Sequence, residues 1–429
     1  MDQDIEGEVT RGARAIVVCP DIRRERRNDD PEARLAEARG LAEAIGIVVA
    51  EASIVPVRTV RAATLFGEGQ IERIATECEQ EQAELVIVDG ALSAIQQRNL
   101  EEKLKRKVID RTGLILEIFG ERAATAEGRL QVELAHLDYQ AGRLVRSWTH
   151  LERQRGGFGF LGGPGETQIE ADRRQIRDRM ARIRRELGQV SRTRGLHRGR
   201  RQRAPWPVIA LVGYTNAGKS TLFNRMTQAS VMAEDLLFAT LDPTMRNVKI
   251  PGFDRAILSD TVGFVSNLPT ELVAAFRATL EEVAASDLIL HVRDIAHPDS
   301  DAQAADVEAV LSSLGLAEED SPPRIEVWNK LDLLPPAERQ ELIGEAERRS
   351  DVAAVSALTG EGVDGLRETI SHLLHSGSQT HQVRLNAGDG ERIAWLHARG
   401  EILEQRHDGD QLQLSVKLSP ENWARFEQL

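Results

Sequence analysis

Residues 208–221 read VIALVGYTNAGKST and combine three features in a fixed order. A short apolar run comes first, the spacing G-x-x-x-x-G-K-S follows at once, and the helical pattern STLFNRM comes next. In a strand–loop–helix unit of this kind, the backbone N–H groups of the loop and of the helix start can surround phosphate groups. The stretch therefore predicts an α/β domain with a phosphate site at the end of a buried strand.

A second glycine-rich stretch, GGFGFLGGPG at residues 156–165, fits the spacing G-x-G-x-x-G through Gly157, Gly159 and Gly162. It follows the polar run HLERQR and not a buried strand, so it lacks the context of a phosphate loop. We interpret it as the bend of a helical hairpin, because apolar residues recur with heptad spacing after it. That seam consists of Ile169, Ile176, Met180, Ile183, Leu187 and Val190.

Two further motifs follow the glycine loop in the order expected for a domain that binds a nucleoside triphosphate with Mg²⁺. Residues 260–263 end an apolar run and read D-x-x-G, whose aspartate holds Mg²⁺ through water and whose glycine N–H meets a γ-phosphate. Between the glycine loop and D-x-x-G, the stretch LLFATLDPTMR occupies the place of a switch loop. There Thr240 would give Mg²⁺ a second hydroxyl besides that of Ser220. We expect catalytic roles for Lys219, Thr240 and Gly263.

The base is expected to be read by NKLD, which ends a predicted strand at Asp332. This carboxylate can accept from both N–H donors of guanine, whereas adenine offers no matching pair. Residues 356–358 are suited to contact the guanine O6 through backbone N–H groups. The predicted nucleotide-binding residues are Gly213, Tyr214, Thr215, Asn216, Ala217, Gly218, Lys219, Ser220, Phe238, Ala239, Thr240, Leu241, Asp242, Asp260, Thr261, Val262, Gly263, Asn329, Lys330, Leu331, Asp332, Ser356, Ala357 and Leu358.

The residue after D-x-x-G is Phe264, which cannot orient an attacking water as a glutamine would. Two interpretations stay open: Phe264 packs beneath the switch, or a partner completes the catalytic site. Asn216 also resembles the asparagine with which some bacterial GTPases bind K⁺, so K⁺ is a second cofactor hypothesis beside Mg²⁺.

Charge is distributed unevenly along the 429 residues. The net charge of −13 argues against a simple nucleic-acid binder, but residues 173–203 contain thirteen arginines and only two acidic residues. We predict RNA contacts for Arg173, Arg174 and Arg177, with a solvated helix face as the alternative. Phe158 and Phe160 are RNA-contact candidates too, either stacking on bases or folding back into the hairpin.

The chain is too long for a single core, and we predict a multidomain α/β protein. The predicted segments are an N-terminal parallel α/β subdomain over 1–130, a helical hairpin with a Gly-rich bend and an Arg-rich helix over 131–204, a P-loop domain over 205–376 and a small α+β module over 380–429. RTRGLHRGRRQRAP at 192–205 is interpreted as a flexible linker. Cys19 and Cys78 lack C-x-x-C spacing and are expected to be structural.

Short apolar runs and an acidic N-terminus predict a cytoplasmic protein without membrane insertion. We expect a monomer, because no extended apolar surface is evident in the sequence. The stretches DRTGLILEIFGERAATAEGRLQVELAHLDY, LERQRGGFGFLGGPGETQIEADRR, GYTNAGKST, FATLDPT, DTVGF and NKLD resemble the HflX family of translation-associated GTPases. The resemblance implies a Ras-like GTPase domain, binding to the large ribosomal subunit and its rRNA, and rescue or splitting of stalled ribosomes. Ribosome biogenesis, an RNA-remodelling NTPase that also uses ATP, and a regulatory GTPase with protein partners stay as alternatives.

Overall fold

The computed structural model describes residues 11–22, 30–154, 168–201, 206–228, 238, 244–266, 282–313, 315–316, 321–376, 379–408, 411–418, 423 and 426–427. The chain divides into two compact units. The first comprises Met1–Gly195, Glu234–Asp242 and Ser266–Ala278, and the second comprises Leu196–Ala233, Pro243–Val265 and Thr279–Leu429.

The first unit contains a four-stranded parallel sheet in the order β2-β1-β3-β4. The central strands carry almost continuous apolar residues because helices cover both faces of such a sheet. The strands are β1 (Arg14–Ile22), β2 (Val48–Val57), β3 (Leu85–Val88) and β4 (Lys107–Asp110), and the helices are α1 (Pro31–Glu43), α2 (Glu68–Gln80), α3 (Ala94–Leu104) and α4 (Arg111–Arg122).

Two long helices complete this unit, α5 (Ala126–Gln154) and α6 (Gln168–Arg201). They are joined by an ion pair between Arg179 and Glu133, with 2.6 Å between Nε and Oε1. Met180 and Ile183 of the predicted seam are buried. The predicted linker at 192–205 is wrong over most of its length, because α6 continues to Arg201; arginine is a good helix former, and two glycines at about 1 kcal/mol each do not stop a long helix.

A buried charged cluster lies at the carboxyl ends of β3 and β4. Asp89 contacts Arg111 at 2.6 Å and Arg34 at 3.3 Å. Burial alone would raise the pKa of Asp89, but the two guanidinium groups outweigh it and the pKa is lowered. Burial beside Asp89 raises the pKa of the Cys19 thiol to about 12, so this thiol stays protonated and unreactive.

The second unit contains a six-stranded sheet in the order β10-β9-β8-β5-β7-β6, in which only β6 is antiparallel to its neighbour. The strands are β5 (Val208–Gly213), β6 (Thr244–Ile250), β7 (Phe253–Asp260), β8 (Leu288–Asp294), β9 (Arg324–Asn329) and β10 (Val352–Ala354). The helices are α7 (Lys219–Thr227), α8 (Ser300–Ser313), α9 (Pro336–Ala346) and α10 (Val363–Ser376). The predicted multidomain α/β class is confirmed, and the segment boundaries stay predictions.

A three-stranded antiparallel sheet follows in the same unit, in the order β11-β13-β12. It consists of β11 (Gln379–Asn386), β12 (Glu401–Asp408) and β13 (Gln411–Leu418), with α11 (Gly390–Arg399) between the first two strands. Three strands and one helix fit the small α+β module that the sequence predicted.

Candidate nucleotide-binding site

The loop between β5 and α7 requires glycine at two positions. Gly213 has φ +152°, and a Cβ there would lie 2.2 Å from the Val292 carbonyl oxygen. Gly218 has φ +89°, and a Cβ there would lie 2.2 Å from Nδ2 of Asn329. Any side chain would therefore collide with a neighbouring loop or strand, and the absence of side chains leaves the backbone N–H groups accessible to a phosphate.

Lys219 lies inside this loop and is almost fully buried. Its Nζ donates hydrogen bonds to the carbonyl oxygens of Gly213 at 3.1 Å and Tyr214 at 2.8 Å. Burial lowers the pKa of Lys219 to about 8, against the opposing effect of Asp260. A phosphate placed beside this ammonium would favour its charged form again, so the loop is better matched to a bound anion than to an empty interior.

The first turn of α7 meets the end of β7 through Ser220, whose Oγ lies 2.7 Å from Oδ2 of Asp260. Hydroxyl and carboxylate oxygens are hard ligands of the kind that Mg²⁺ prefers, completed by water and phosphate oxygens. The described part of the chain contains no group of three or more His, Cys, Asp or Glu side chains that could hold a metal ion. Thr240, with Ala239, Leu241 and Asp242, lies outside the described residues.

The backbone that follows the D-x-x-G segment forms hydrogen bonds with the glycine loop. Phe264 donates its N–H to the Gly213 carbonyl at 3.1 Å and accepts from the Thr215 N–H at 2.7 Å. Its side chain is buried, which accounts for an apolar residue at this position. At Gly263, a Cβ would lie 2.8 Å from Cγ2 of Thr215 and 3.1 Å from Nζ of Lys219, so only glycine brings this backbone so close to the lysine.

In the part of the site that is predicted to bind the base, the Asn329 side chain forms hydrogen bonds with two loops. Its Nδ2 donates to the Ala217 carbonyl at 2.8 Å, and its Oδ1 accepts from the Ala357 N–H at 2.9 Å. Ser356 is buried and its Oγ lies 2.5 Å from Oδ1 of Asp332. These contacts fix the predicted base-reading carboxylate and residues 356–358 beside the phosphate loop. Lys330, at φ +67°, forms an ion pair with Asp294 at 2.7 Å.

Asn216 has φ +58° and an exposed side chain. The left-handed region is costly for most residues and is tolerated best by glycine and asparagine. The backbone conformation is therefore sufficient to explain an asparagine at this position, independently of any cation.

Phe238, from the predicted switch loop, and Ser266, which follows the D-x-x-G segment, belong to the first unit. Phe238 is 2% exposed and its ring meets that of Phe119 edge to face, with 4.6 Å between centroids. The carbonyl of Ser266 accepts from Nε of Arg111 at 3.3 Å. The sequence predicted Phe238 as a nucleotide contact, whereas its side chain contributes to the core of the first unit. Arg111 and Phe119 were not predicted at all.

The basic helix α6 presents exposed arginine side chains. Arg174 and Arg177 are exposed and Arg173 is half-buried, while Arg179 pairs with Glu133. Further along the helix, Arg182, Arg184 and Arg185 are exposed as well. Phe158 and Phe160 lie outside the described residues. None of the described helices is both long and apolar enough to span a bilayer.

Three features lie at the carboxyl ends of parallel strands: the glycine loop with its buried lysine, the hydroxyl–carboxylate pair, and the loops predicted to bind the base. Together they define a P-loop GTPase. Family models described as GTP-binding GTPase N-terminal, GTP-binding GTPase Middle Region, 50S ribosome-binding GTPase and HflX C-terminal domain match residues 32–120, 122–201, 208–330 and 341–428. The chain belongs to the HflX family, and it is a GTP-hydrolysing enzyme.

Relatives named GTPase HflX match over most of the chain. The protein from Magnetococcus marinus is 48% identical and the match covers 92% of this chain and 90% of the relative. The protein from Escherichia coli is 44% identical over 84% of each chain. Among solved structures, a GTP-binding protein from Sulfolobus solfataricus in complex with GDP is 22% identical, with a TM-score of 0.45, covering 84% of this chain and 98% of that one.

Proposed function

We propose that this GTPase binds the large ribosomal subunit and its rRNA through α6 and the glycine-rich stretch at 156–165, and acts in the rescue or splitting of stalled ribosomes or in ribosome biogenesis. The observation that carries the proposal is the row of exposed arginines on α6 in a chain whose net charge is −13. A uniformly acidic surface would repel RNA, so a basic helix on such a chain favours a dedicated phosphate-binding surface.

Within the nucleotide site, we assign a role to each group from its place in the sequence motifs. Lys219 would neutralise charge on the β- and γ-phosphates, the Gly263 N–H would meet the γ-phosphate, and Asp332 would accept from guanine. Ser220, Thr240 and, through water, Asp260 would hold Mg²⁺, which would offset the negative charge of the phosphates. Because Phe264 is buried, a group supplied by the ribosome would complete the site; such groups contribute roughly 10³- to 10⁵-fold in rate.

The ribosome proposal is tested by co-sedimentation with purified subunits in the presence of a non-hydrolysable GTP analogue or GDP. We expect binding to the large subunit that weakens by about 10³-fold or more between roughly 50 and 200 mM salt, if six or more phosphates are contacted. Replacing Arg174, Arg177 and Arg182 by Ala should lower the slope of log affinity against log salt by about one per residue.

The matched control replaces three exposed arginines outside α6, at positions Arg58, Arg348 and Arg384. These variants should sediment like the unmodified protein. Failure to co-sediment in either nucleotide state, or an equal loss in both triple variants, would contradict the ribosome proposal and favour a regulatory GTPase with protein partners.

K⁺ as a second cofactor rests on Asn216 alone, and the structure offers a conformational reason for that residue. Replacing Asn216 by Gly keeps the left-handed backbone accessible while removing the side-chain carbonyl. If the carbonyl binds K⁺, turnover of the unmodified protein is higher in K⁺ than in Na⁺, and the variant loses this difference. Equal turnover in the two salts, or full K⁺ stimulation of the variant, would remove K⁺ from the mechanism.

A further inference from the structure

Arg225 links the helix behind the phosphate loop to the loop that is proposed to read guanine. It lies on α7, and its Nε donates to the Ala357 carbonyl at 3.1 Å. Its Nη2 donates to the Leu358 carbonyl. The guanidinium also lies against Gly360, where a Cβ would be 3.5 Å from Nη1 and φ is +93°. One arginine therefore donates to two carbonyl groups of the turn at residues 356–360 and lies beside Gly360.

These contacts determine the direction of the peptide group between Ala357 and Leu358. In a trans peptide the C=O and the N–H point to opposite sides, and no cis peptide bond occurs in the described part of the chain. When Arg225 holds the Ala357 oxygen on the side of α7, the Leu358 N–H is directed to the other side. Asn329 fixes the preceding peptide in the same way, through the Ala357 N–H.

The turn has few other means of keeping this orientation. The Leu358 side chain is 68% exposed, so apolar packing does not hold it in place. Ser356 stabilises the turn from within, since its Oγ accepts from the Thr359 N–H at 3.1 Å and its carbonyl accepts from the Gly360 N–H at 2.8 Å. Only Arg225 contacts both the Ala357 and the Leu358 carbonyl groups among the described residues.

We infer that Arg225 is a positioning residue for guanine recognition, which acts by fixing the backbone of residues 357–358 so that the Leu358 N–H faces the 6-oxygen of the base. This inference rests on the proposed contact between that loop and guanine O6. The charged guanidinium suits the task because it donates to two carbonyl groups at once in a fixed planar geometry. The side-chain hydrogen bonds of Arg225 go to these carbonyl groups and not to the predicted phosphate- or metal-binding residues, so its effect is expected on nucleotide affinity and not on the hydrolytic step.

The test compares Arg225→Met with the unmodified protein for binding of GDP, inosine diphosphate and 6-thioguanosine diphosphate. We expect GDP affinity to fall on the order of 10-fold. Inosine diphosphate keeps the 6-oxygen and should lose affinity by the same factor, whereas the sulfur analogue accepts hydrogen bonds weakly and should lose much less. The KM for GTP should rise while kcat at saturation stays within about twofold. Arg225→Lys, which retains one donor group, should give an intermediate result.

Arg367→Met is the matched control, because Arg367 donates to the Met226 carbonyl of the same helix at 3.4 Å and does not contact the guanine loop. This variant should bind all three nucleotides like the unmodified protein. Unchanged GDP affinity in Arg225→Met, or an equal loss for GDP and its sulfur analogue, would overturn the inference. If the unmodified protein itself does not discriminate GDP from the sulfur analogue, the proposed O6 contact fails, and the role of Arg225 fails with it.

Discussion

Lys219→Ala is expected to lower kcat/KM for GTP hydrolysis by about 10²- to 10³-fold. The Lys219 ammonium lies inside the glycine loop, bonded to the Gly213 and Tyr214 carbonyl oxygens, and we expect it to stabilise negative charge that develops between the β- and γ-phosphates. Alanine removes this charge and leaves the phosphates with backbone N–H groups alone. The measurement is phosphate release over a range of GTP concentrations, for the variant and the unmodified protein.

Two further variants separate this effect from misfolding. Lys219→Met fills a similar volume without the charge. Burial lowers the pKa of Lys219 to about 8, so below that pH the buried charge decreases the free energy of unfolding of the nucleotide-free protein. We therefore expect Lys219→Met to lose activity without a lower melting temperature in the absence of nucleotide at pH 7. Lys249→Ala, at an exposed position of β6, should leave activity unchanged. Activity of Lys219→Ala within about tenfold of the unmodified protein would contradict the assigned role.

Asp332→Asn is expected to weaken GDP binding on the order of 10²-fold. The carboxylate is positioned by the Ser356 hydroxyl at 2.5 Å, and we expect it to accept from the N1–H and the 2-amino group of guanine. An asparagine offers one acceptor and directs an amide N–H₂ toward a second donor. Xanthine carries an oxygen at the 2-position, so xanthosine diphosphate should bind the variant more tightly than it binds the unmodified protein. Competition against a fluorescent nucleotide measures both effects.

The control for this prediction is Asp364→Asn, an exposed carboxylate on α10 that pairs with Arg367, which should leave both affinities unchanged. A loss of GDP binding without a gain for xanthosine diphosphate would indicate damage to the loop. Unchanged GDP affinity would show that Asp332 does not contact the base.

The glycine loop was predictable from sequence because its constraints are local. Gly213 and Gly218 adopt positive φ and lie too close to neighbouring atoms for a Cβ, and such requirements leave a fixed spacing in the sequence. The same holds for the D-x-x-G turn, where Gly263 lies against Thr215 and Lys219. The alternation of apolar runs and helical patterns also predicted the parallel sheets, since strands covered on both faces are apolar throughout.

Asn216 and the end of α6 show where local patterns mislead. The sequence suggested a cation ligand at Asn216, but its backbone conformation, φ +58°, also explains an asparagine there. A sequence motif does not show this conformation. The loss of apolar periodicity after Ser191 suggested a linker, but helix extension needs only weak local propensity once a long helix has formed, and α6 continues to Arg201.

Contacts between residues far apart in the chain could not be predicted from the sequence. Three contacts join residues that are far apart in sequence: Arg225 with Ala357, Phe119 with Phe238, and Arg111 with Ser266. An arginine in a helix or a phenylalanine in an apolar helix face is an ordinary observation until the tertiary fold brings its partner close. The positioning role of Arg225 therefore required the structure.

The central claim is that the loops at the carboxyl ends of β5, β7 and β9 form a site that selects guanine nucleotides. Displacement of a fluorescent GDP derivative from the unmodified protein by unlabelled GDP and ADP tests it most directly. We expect ADP to require at least about 10³-fold higher concentration than GDP, because adenine leaves the Asp332 carboxylate without donors. Displacement by ADP at concentrations similar to those of GDP would contradict the claim and favour an enzyme that also uses ATP.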